Sequence, residues 1–236
     1  MQPLIECRNL SKRYKDVYAL DGVNLTIPDT GGIVGLLGPN GSGKTTLIKI
    51  LMGLLTPTDG TAKILGREIG VETKSIASYL SDFNALNGGY KVKDQLDYYG
   101  DFFLDFNREK AEKMLKELGI GLDRKIKTLS KGTKEKLALI LTLSRNARVY
   151  FLDEPIAGVD PAAREYVLST ILNNRSQNST IFLSTHLISE IEQYFDWVIF
   201  LKEGRVVLEG NAENIRQAEG KTIDALFREV FRWMVW

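Results

Sequence analysis

One stretch of the chain, residues 35–47, combines glycines, a lysine and two threonines in the order GLLGPNGSGKTTL. Gly38, Gly43, Lys44 and Thr45 stand at the spacing G-x-x-x-x-G-K-[ST], which is typical of a loop that holds the phosphates of a nucleotide. Glycine allows the tight curl that turns backbone N–H groups toward an anion, and the N-terminal end of a following helix adds positive charge. The sequence therefore predicts a loop that binds a nucleoside triphosphate.

The members of this loop have separate expected roles. Lys44 would reach the β- and γ-phosphates, Thr45 would offer its hydroxyl to Mg²⁺, and Thr46 would add a phosphate contact. A glycine-rich turn that only packs tightly is the alternative, but it would leave Lys44 without a partner. The residues predicted to contact the nucleotide are Gly38, Pro39, Asn40, Gly41, Ser42, Gly43, Lys44, Thr45 and Thr46.

Two acidic residues follow another apolar run. Val149 to Leu152 is a predicted strand, and Asp153 and Glu154 come directly after it. Because ligands gather at the carboxyl ends of parallel strands and Mg²⁺ uses few protein ligands, we expect Asp153 to meet the metal beside Thr45, directly or through water. Glu154, one residue further, suits a base that orients and deprotonates an attacking water. An ordinary acidic strand end is the alternative.

The single histidine, His186, follows the apolar run Ile181 to Leu183. Lone histidines are more often structural than catalytic, but this one stands at the carboxyl end of a predicted strand, where the γ-phosphate and the attacking water are expected. We therefore predict that His186 takes part in hydrolysis together with Lys44 and Glu154.

Composition limits the classes of function. Cys7 is the only cysteine among 236 residues, so no internal disulfide can form, and we expect a reducing compartment with Cys7 packed in the first strand. Lys and Arg total 31 against 30 acidic residues, which gives no electrostatic reason to expect a nucleic-acid partner. No apolar run approaches the ~20 residues that span a bilayer, and no signal peptide is evident. We expect a soluble, cytoplasmic protein, so that any membrane-spanning part would be another chain.

Apolar runs outline sheets that are interrupted by a helical stretch. Strands are predicted at 4–9 and 23–27, as a hairpin or small sheet around a turn at 12–16, and at 33–37, 62–65 and 76–80. Runs at 149–152, 181–183 and 198–201, separated by helical stretches, imply a parallel sheet. Helices are predicted at 92–103, at 109–118 and from Pro161 to about Asn173, with Asp160 as the N-cap of the last. Tyr14 lies in the predicted turn, where stacking on an adenine and plain exposure are equally consistent with the sequence.

The last part of the chain carries an apolar stripe at helical spacing. Its members are Ile223, Leu226, Phe227, Val230, Phe231 and Met234, followed by further apolar residues in the segment Trp233 to Trp236. Packing onto the core is one interpretation, and contact with a second copy or with a membrane subunit is the other.

A third motif, Leu129-Ser130-Lys131-Gly132-Thr133, is similar to the signature LSGGQ. With it, the chain resembles the nucleotide-binding subunit of an ATP-binding-cassette (ABC) transporter across nearly its whole length, and its wording is most similar to cassettes of Gram-positive bacterial exporters. The resemblance implies an α/β fold with a P-loop NTPase core and mainly parallel sheet, an N-terminal antiparallel β-subdomain and an inserted helical subdomain. It places the ATP-binding core at 1–81 and 131–210, the helical subdomain at 82–130 and a helical tail at 211–236.

The resemblance also implies roles for residues whose chemistry alone leaves them open. Ser130 and the N–H of Gly132 would contact, in trans, the ATP that a second cassette binds. Tyr14 would stack on the adenine, Asp160 would belong to the D-loop, and His186 would be the switch histidine.

Two departures from the family pattern concern the signature and the Q-loop. Lys131 and Thr133 replace a glycine and a glutamine, but the serine hydroxyl and the second glycine of the signature are kept. Asp82 stands where the Q-loop usually has glutamine, and this shorter side chain would approach Mg²⁺ through water.

The implied function is ATP hydrolysis coupled to transport. The resemblance implies a chain that uses ATP and Mg²⁺, pairs with a second cassette around two ATP molecules, and drives an integral membrane permease at the inner face of the cell membrane, as an exporter of drug, peptide or lipid-like compounds. A soluble cassette ATPase acting on nucleic acid or ribosomes is the alternative, which the short segment between Lys44 and Ser130, without sustained heptads, disfavours. A cassette that no longer hydrolyses ATP is a third possibility, which Glu154 and His186 disfavour.

Overall fold

Two β-sheets form the centre of the fold, which is seen in a computed structural model that describes residues 2–80, 86–156, 159, 161–176 and 178–232. The smaller sheet is antiparallel and has the strand order β2-β1-β4-β5. Its strands are β1 (Pro3–Tyr14), β2 (Val17–Pro28), β4 (Asp59–Ile64) and β5 (Arg67–Glu68). The predicted N-terminal antiparallel sheet is therefore confirmed.

The larger sheet has six strands in the order β10-β9-β3-β8-β7-β6. These are β3 (Gly32–Leu37), β6 (Ala77–Leu80), β7 (Val149–Asp153), β8 (Thr180–Thr185), β9 (Trp197–Lys202) and β10 (Arg205–Asn211). All of them pair in parallel except β10, which pairs antiparallel with β9. The parallel sheet is confirmed, whereas β10 was not predicted, because its residues are mostly exposed or half-buried and form no apolar run.

Eight α-helices in the described residues lie between these strands or follow the last of them. They are α1 (Lys44–Leu51), α2 (Val71–Ser75), α3 (Val92–Phe102), α4 (Arg108–Glu117), α5 (Lys131–Leu143), α6 (Pro161–Asn173), α7 (Ala212–Glu219) and α8 (Ile223–Val230). The predicted helices at 92–103, at 109–118 and from Pro161 are confirmed to within one residue at each end. The expected cap of α6, Asp160, lies outside the described residues, and so does Asp82. The division into core, helical subdomain and tail stays a prediction.

The central strands face two hydrophobic cores, one on each side of the large sheet. Phe151 and Phe182 point toward the small sheet and α1, and their ring centroids lie 5.5 Å apart. Tyr150 and Ile181, one residue earlier on the same strands, point toward the helices on the other side. Burial on both faces explains why these strands are continuous apolar runs, and it leaves their carboxyl ends as the place for polar side chains.

The first hairpin is longer than predicted. β1 continues through Tyr14, so the turn comprises Lys15 and Asp16, and the prediction of a turn at 12–16 was wrong. Polar residues are held in the strand by pairing across the hairpin, where Arg13 lies opposite Tyr18 with its guanidinium 5.5 Å from the centroid of the ring.

The apolar stripe near residue 226 packs onto the core. Ile223, Leu226 and Phe231 are buried, and the ring of Phe231 lies 6.1 Å from that of Phe200 on β9. The interpretation as a core-packing helix is confirmed for these residues, while the segment Trp233 to Trp236, which includes Met234, lies outside the described residues. In the described ranges, no helix has the length and apolar character needed to cross a membrane.

We predict that the thiol of Cys7 is unreactive in the folded protein. Burial, together with the nearby carboxylates of Glu209 and Glu6, raises the pKa of Cys7 to about 12, and the thiolate is the reactive form. Reaction with an aromatic disulfide reagent at pH 8 should be at least ~100-fold slower in native protein than after unfolding in guanidinium. A native reaction as fast as that of a free thiol would show that Cys7 is not packed as described.

Candidate functional site

The predicted phosphate-binding loop joins the end of β3 to the start of α1. Gly43 precedes the helix with φ of 109°, and Gly41 has φ of 82°, both in the region that favours glycine. A Cβ on Gly43 would lie 2.3 Å from the carbonyl oxygen of Ala19, and one on Gly38 would lie 2.4 Å from that of Leu201. Two glycines of the motif are therefore required by neighbouring backbone as well as by the curl of the loop.

Lys44 lies between the loop and the end of β7. Its Nζ donates to the carbonyls of Gly38 (2.7 Å) and Pro39 (3.2 Å) and lies 3.6 Å from Oε1 of Glu154. Burial lowers the pKa of Lys44, and the negative charges of Glu154 and Asp153 oppose that shift. The ammonium group is thus a desolvated cation at a point that two carboxylates also approach.

Ser184, on β8, connects the carboxylate of Asp153 with the backbone of Glu154. Its Oγ donates to Oδ1 of Asp153 (2.6 Å) and accepts from the backbone N–H of Glu154 (3.0 Å). The sheet register sets this contact, because Asp153 and Ser184 are direct partners across β7 and β8. Ser184 was not predicted as a site residue, although its position two residues before the histidine, at a strand end, was a usable signal.

The backbone of Glu154 has an unusual conformation for a residue other than glycine. Its φ is 50°, in the left-handed region, which costs roughly 1 kcal/mol or more. Two interactions hold it there, because its N–H also lies 3.2 Å from the carbonyl oxygen of Ser184. Non-glycine residues whose backbone is held in this conformation are often found at functional sites.

His186 completes a chain of three charged or polar groups. Its Nδ1 lies 2.9 Å from Oε2 of Glu154, while the other carboxylate oxygen faces Lys44. The imidazole is 45% exposed, so one of its faces is open to solvent. The structure therefore brings together the three residues predicted for hydrolysis, Lys44, Glu154 and His186.

Three buried side-chain oxygen atoms at this edge lack hydrogen-bond partners among the described residues. Oδ2 of Asp153, Oε1 of Glu154 and Oγ of Ser42 are buried and accept or donate no hydrogen bond among the described residues. Carboxylate and hydroxyl oxygens are the ligands that Mg²⁺ prefers, and the ion keeps several waters and takes phosphate oxygens. Asp153, with Thr45 in the half-buried first turn of α1, fits such an ion.

The signature motif starts a different helix. Ser130 is the N-cap of α5, and its Oγ accepts from the N–H of Thr133 (3.2 Å) and lies 2.8 Å from the hydroxyl of that residue. A Cβ on Gly132 would meet no atom within 4 Å, and Lys131 is 87% exposed. In the described part of the chain, no hydrogen bond or ion pair joins this motif to the phosphate-binding loop.

The remaining predicted residues are placed as follows. Tyr14 is half-exposed at the end of β1, with the ammonium of Lys12 5.4 Å from its ring centroid, so its ring is available for stacking. Asn40 lies in the phosphate-binding loop, and Thr46 lies in the first turn of α1. Asp160 and Asp82 lie outside the described residues.

Comparison with known proteins identifies the family. A family model described as "ABC transporter" matches residues 20–157, which is more than half of the chain. The chain belongs to the ABC transporter family. An uncharacterized ABC transporter ATP-binding protein of Bacillus subtilis is 31% identical over 90% of this chain and 73% of its own length. A lantibiotic transport ATP-binding protein of Streptococcus pyogenes is 30% identical over 91% of this chain and 95% of its own.

Solved structures give the same result for the fold of this ABC cassette. An ATP-binding subunit of an ABC transporter superposes with a TM-score of 0.84 at 28% identity, covering 96% of this chain and 98% of the other. A Clostridium perfringens protein described as part of the ABC transporter complex cbiONQ gives 0.75 at 26% identity, covering 99% and 96%. The α/β fold expected from the resemblance is confirmed.

We predict that Ser184→Ala weakens the site without unfolding the protein. The substitution removes the hydroxyl that orients Asp153 and caps the N–H of Glu154, so ATP turnover should fall about 10–100-fold and need more Mg²⁺. Turnover against Mg²⁺ concentration checks this, with Ser189→Ala, at an exposed position, as the matched control. Identical Mg²⁺ dependence in the two variants would contradict the orienting role.

Proposed function

We propose that this chain binds and hydrolyses ATP as the nucleotide-binding subunit of a membrane exporter. The observation that carries the proposal is the placement of Glu154 within contact distance of both Lys44 and His186 beside the phosphate-binding loop. A buried cation, a carboxylate and an imidazole at the carboxyl edge of a parallel sheet suit phosphoryl transfer to water.

The loop residues hold the triphosphate. Backbone N–H groups from Gly38 to Thr46 surround the phosphates, and Lys44 exchanges its carbonyl partners for β- and γ-phosphate oxygens. The ring of Tyr14 stacks on the adenine, which its half-exposed position at the end of β1 supports. Because the ammonium group of Lys44 is buried, its attraction for phosphate is stronger than that of a lysine in solvent.

Thr45 and Asp153 hold Mg²⁺, and the unpartnered buried oxygen of Asp153 supports this assignment. When bound, the ion neutralises charge on the phosphate oxygens. Ser184 keeps the carboxylate of Asp153 oriented. We assign Asp82 a contact with Mg²⁺ through water.

Glu154 is the general base. One of its carboxylate oxygens lies 2.9 Å from Nδ1 of His186, and the other is buried and lies 3.6 Å from Nζ of Lys44, so two neighbouring groups hold the carboxylate in place. There it accepts a proton from the attacking water. His186 fixes the carboxylate through Nδ1, and Nε2, at the other edge of the ring, contacts the γ-phosphate.

A second cassette closes the site. The first N–H groups of α5 have no acceptors within the helix, and the exposed positions of Lys131 and Gly132 leave them free to face the ATP held by another chain. We assign Ser130 and Gly132 this contact in trans, with Asp160 at the dimer interface. The two chains then enclose two ATP molecules.

Closure of the dimer drives a conformational change in integral membrane permease subunits. The chain therefore works at the cytoplasmic face of the cell membrane. We assign the helical subdomain, 82–130, the contact with the permease, the ranges 1–81 and 131–210 the ATP-binding core, and 211–236 the tail. Relatives support export of a drug, peptide or lipid-like compound. They include a daunorubicin/doxorubicin resistance protein of Streptomyces peucetius, 30% identical over 93% of this chain and 68% of its own, and the lantibiotic transport protein above.

We predict that Glu154→Gln traps an ATP-bound dimer. The amide cannot accept the proton of water, so turnover should fall at least ~100-fold while nucleotide binding is kept. Size-exclusion chromatography with Mg²⁺-ATP should show a dimer for this variant. The matched control is Glu219→Gln, an exposed residue at the end of α7, which should behave as the native protein does. Native turnover in Glu154→Gln would refute the assignment of the base.

A further inference from the structure

Arg145, two residues after the end of α5, is a buried side chain that the site does not use. Only 5% of it is exposed, and its guanidinium makes a two-pronged ion pair with Asp105, at 2.9 Å from Nε to Oδ1 and 3.1 Å from Nη2 to Oδ2. It also donates to the carbonyls of Ala77 (2.6 Å) and Ser75 (2.9 Å). The ring of Phe103 lies 4.1 Å below it.

Arg145 and its partners belong to three different parts of the fold. Phe103 and Asp105 form the connection between α3 and α4, in the helical part of the chain. Ser75 and Ala77 stand at the entry of β6, the edge strand of the large sheet. Arg145 itself follows α5, whose first turn carries the signature. One planar cation therefore ties the helical part, the sheet edge and the signature helix together, a geometry that the fixed fork of arginine allows.

Neighbouring hydrogen bonds show how much of this connection depends on Arg145. The N–H groups of Asn107 and Asn146 bond to the carbonyls of Ser144 (2.7 Å) and Asp105 (2.9 Å), which fastens the α3–α4 connection to the end of α5. Neither bond reaches the sheet. Among the described residues, Arg145 is the one whose side chain bonds both to Asp105 and to β6, while a bond from Oγ of Ser78 to the carbonyl of Thr142 (2.9 Å) joins β6 to α5 directly.

We propose that Arg145 is a positioning residue that fixes the direction of α5 and so places Ser130 for the partner's ATP. This inference rests on the proposed two-cassette function. A 13-residue helix is about 20 Å long, so a rotation of about 5° at its C-terminal end moves its N-terminal end by about 2 Å. A hydrogen bond tolerates a few tenths of an ångström, so that displacement removes Ser130 from contact.

Arg148 provides a matched control within the same region. It also pairs with a carboxylate, since its Nη2 lies 2.7 Å from Oδ2 and 2.9 Å from Oδ1 of Asp29, and it is partly buried. That pair joins the base of β7 to the end of β2, and its guanidinium makes no bond to the α3–α4 connection in the described residues. Loss of the Arg148 pair should cost stability without changing the angle of α5.

The first experiment measures that angle in the monomer. Spin labels are placed on Lys131→Cys, in the first turn of α5, and on Val207→Cys in β10; both positions are exposed, and buried Cys7 stays unlabelled. The distance distribution by pulsed electron resonance should broaden about twofold or more in Arg145→Met, less in Arg145→Lys, which keeps the charge without the fork, and not in Arg148→Met. An unchanged distribution in Arg145→Met would overturn the proposal.

The second experiment measures the effect on pairing, in the Glu154→Gln background with Mg²⁺-ATP. Arg145→Met and Arg145→Lys should raise the dimer dissociation constant about 10-fold or more, while the affinity of the monomer for a fluorescent ATP analogue changes less than about twofold. A native dimer dissociation constant in both variants would overturn the positioning role. Failure of the Glu154→Gln parent itself to pair would refute the two-cassette function, and the label distances would still decide whether Arg145 fixes the helix.

Discussion

The rest of the site depends on one interaction, between buried Lys44 and the buried carboxylate oxygen Oε1 of Glu154. Lys44 is enclosed at the start of α1, where two loop carbonyls and Glu154 take the place of the water around its ammonium group. Burying a cation is costly unless it is paired, and the lowered pKa of Lys44 reflects that cost. The same low-dielectric surroundings strengthen attraction to an added phosphate. The fold thus keeps a charge at the loop that an anionic ligand stabilises.

Strand order brings the other groups to this lysine. The loop leaves β3, Ser184 and His186 follow from β8, and Asp153 and Glu154 end β7, so three adjacent strands supply one edge. The parallel pairing of β7 with β8 puts Ser184 opposite Asp153. The signature begins α5 elsewhere on the surface. One chain therefore provides the phosphate, metal and water side of a site whose remaining wall is proposed to come from another.

Sequence predicted the local parts of this arrangement and missed the parts that depend on distant contacts. The loop and the acidic pair could be found because their residue types and spacing lie within a few positions of a buried strand. Ser184 could not be assigned its role, since its contact with Asp153 follows from strand pairing. Arg145 gave no signal for the same reason, because its partners lie about 40 and 70 positions earlier. The hairpin turn was drawn too long because cross-strand pairing outweighed the polarity of Arg13.

The central claim is that the site is complete only when two chains meet, and turnover per subunit as a function of protein concentration tests it most directly. ATP hydrolysis would be followed across a range that spans the monomer–dimer transition, with the association state measured by sedimentation in the same buffer. Turnover per subunit should rise with concentration and level off once pairing is complete. Constant turnover across the range, in samples shown to be monomeric throughout, would contradict a shared site.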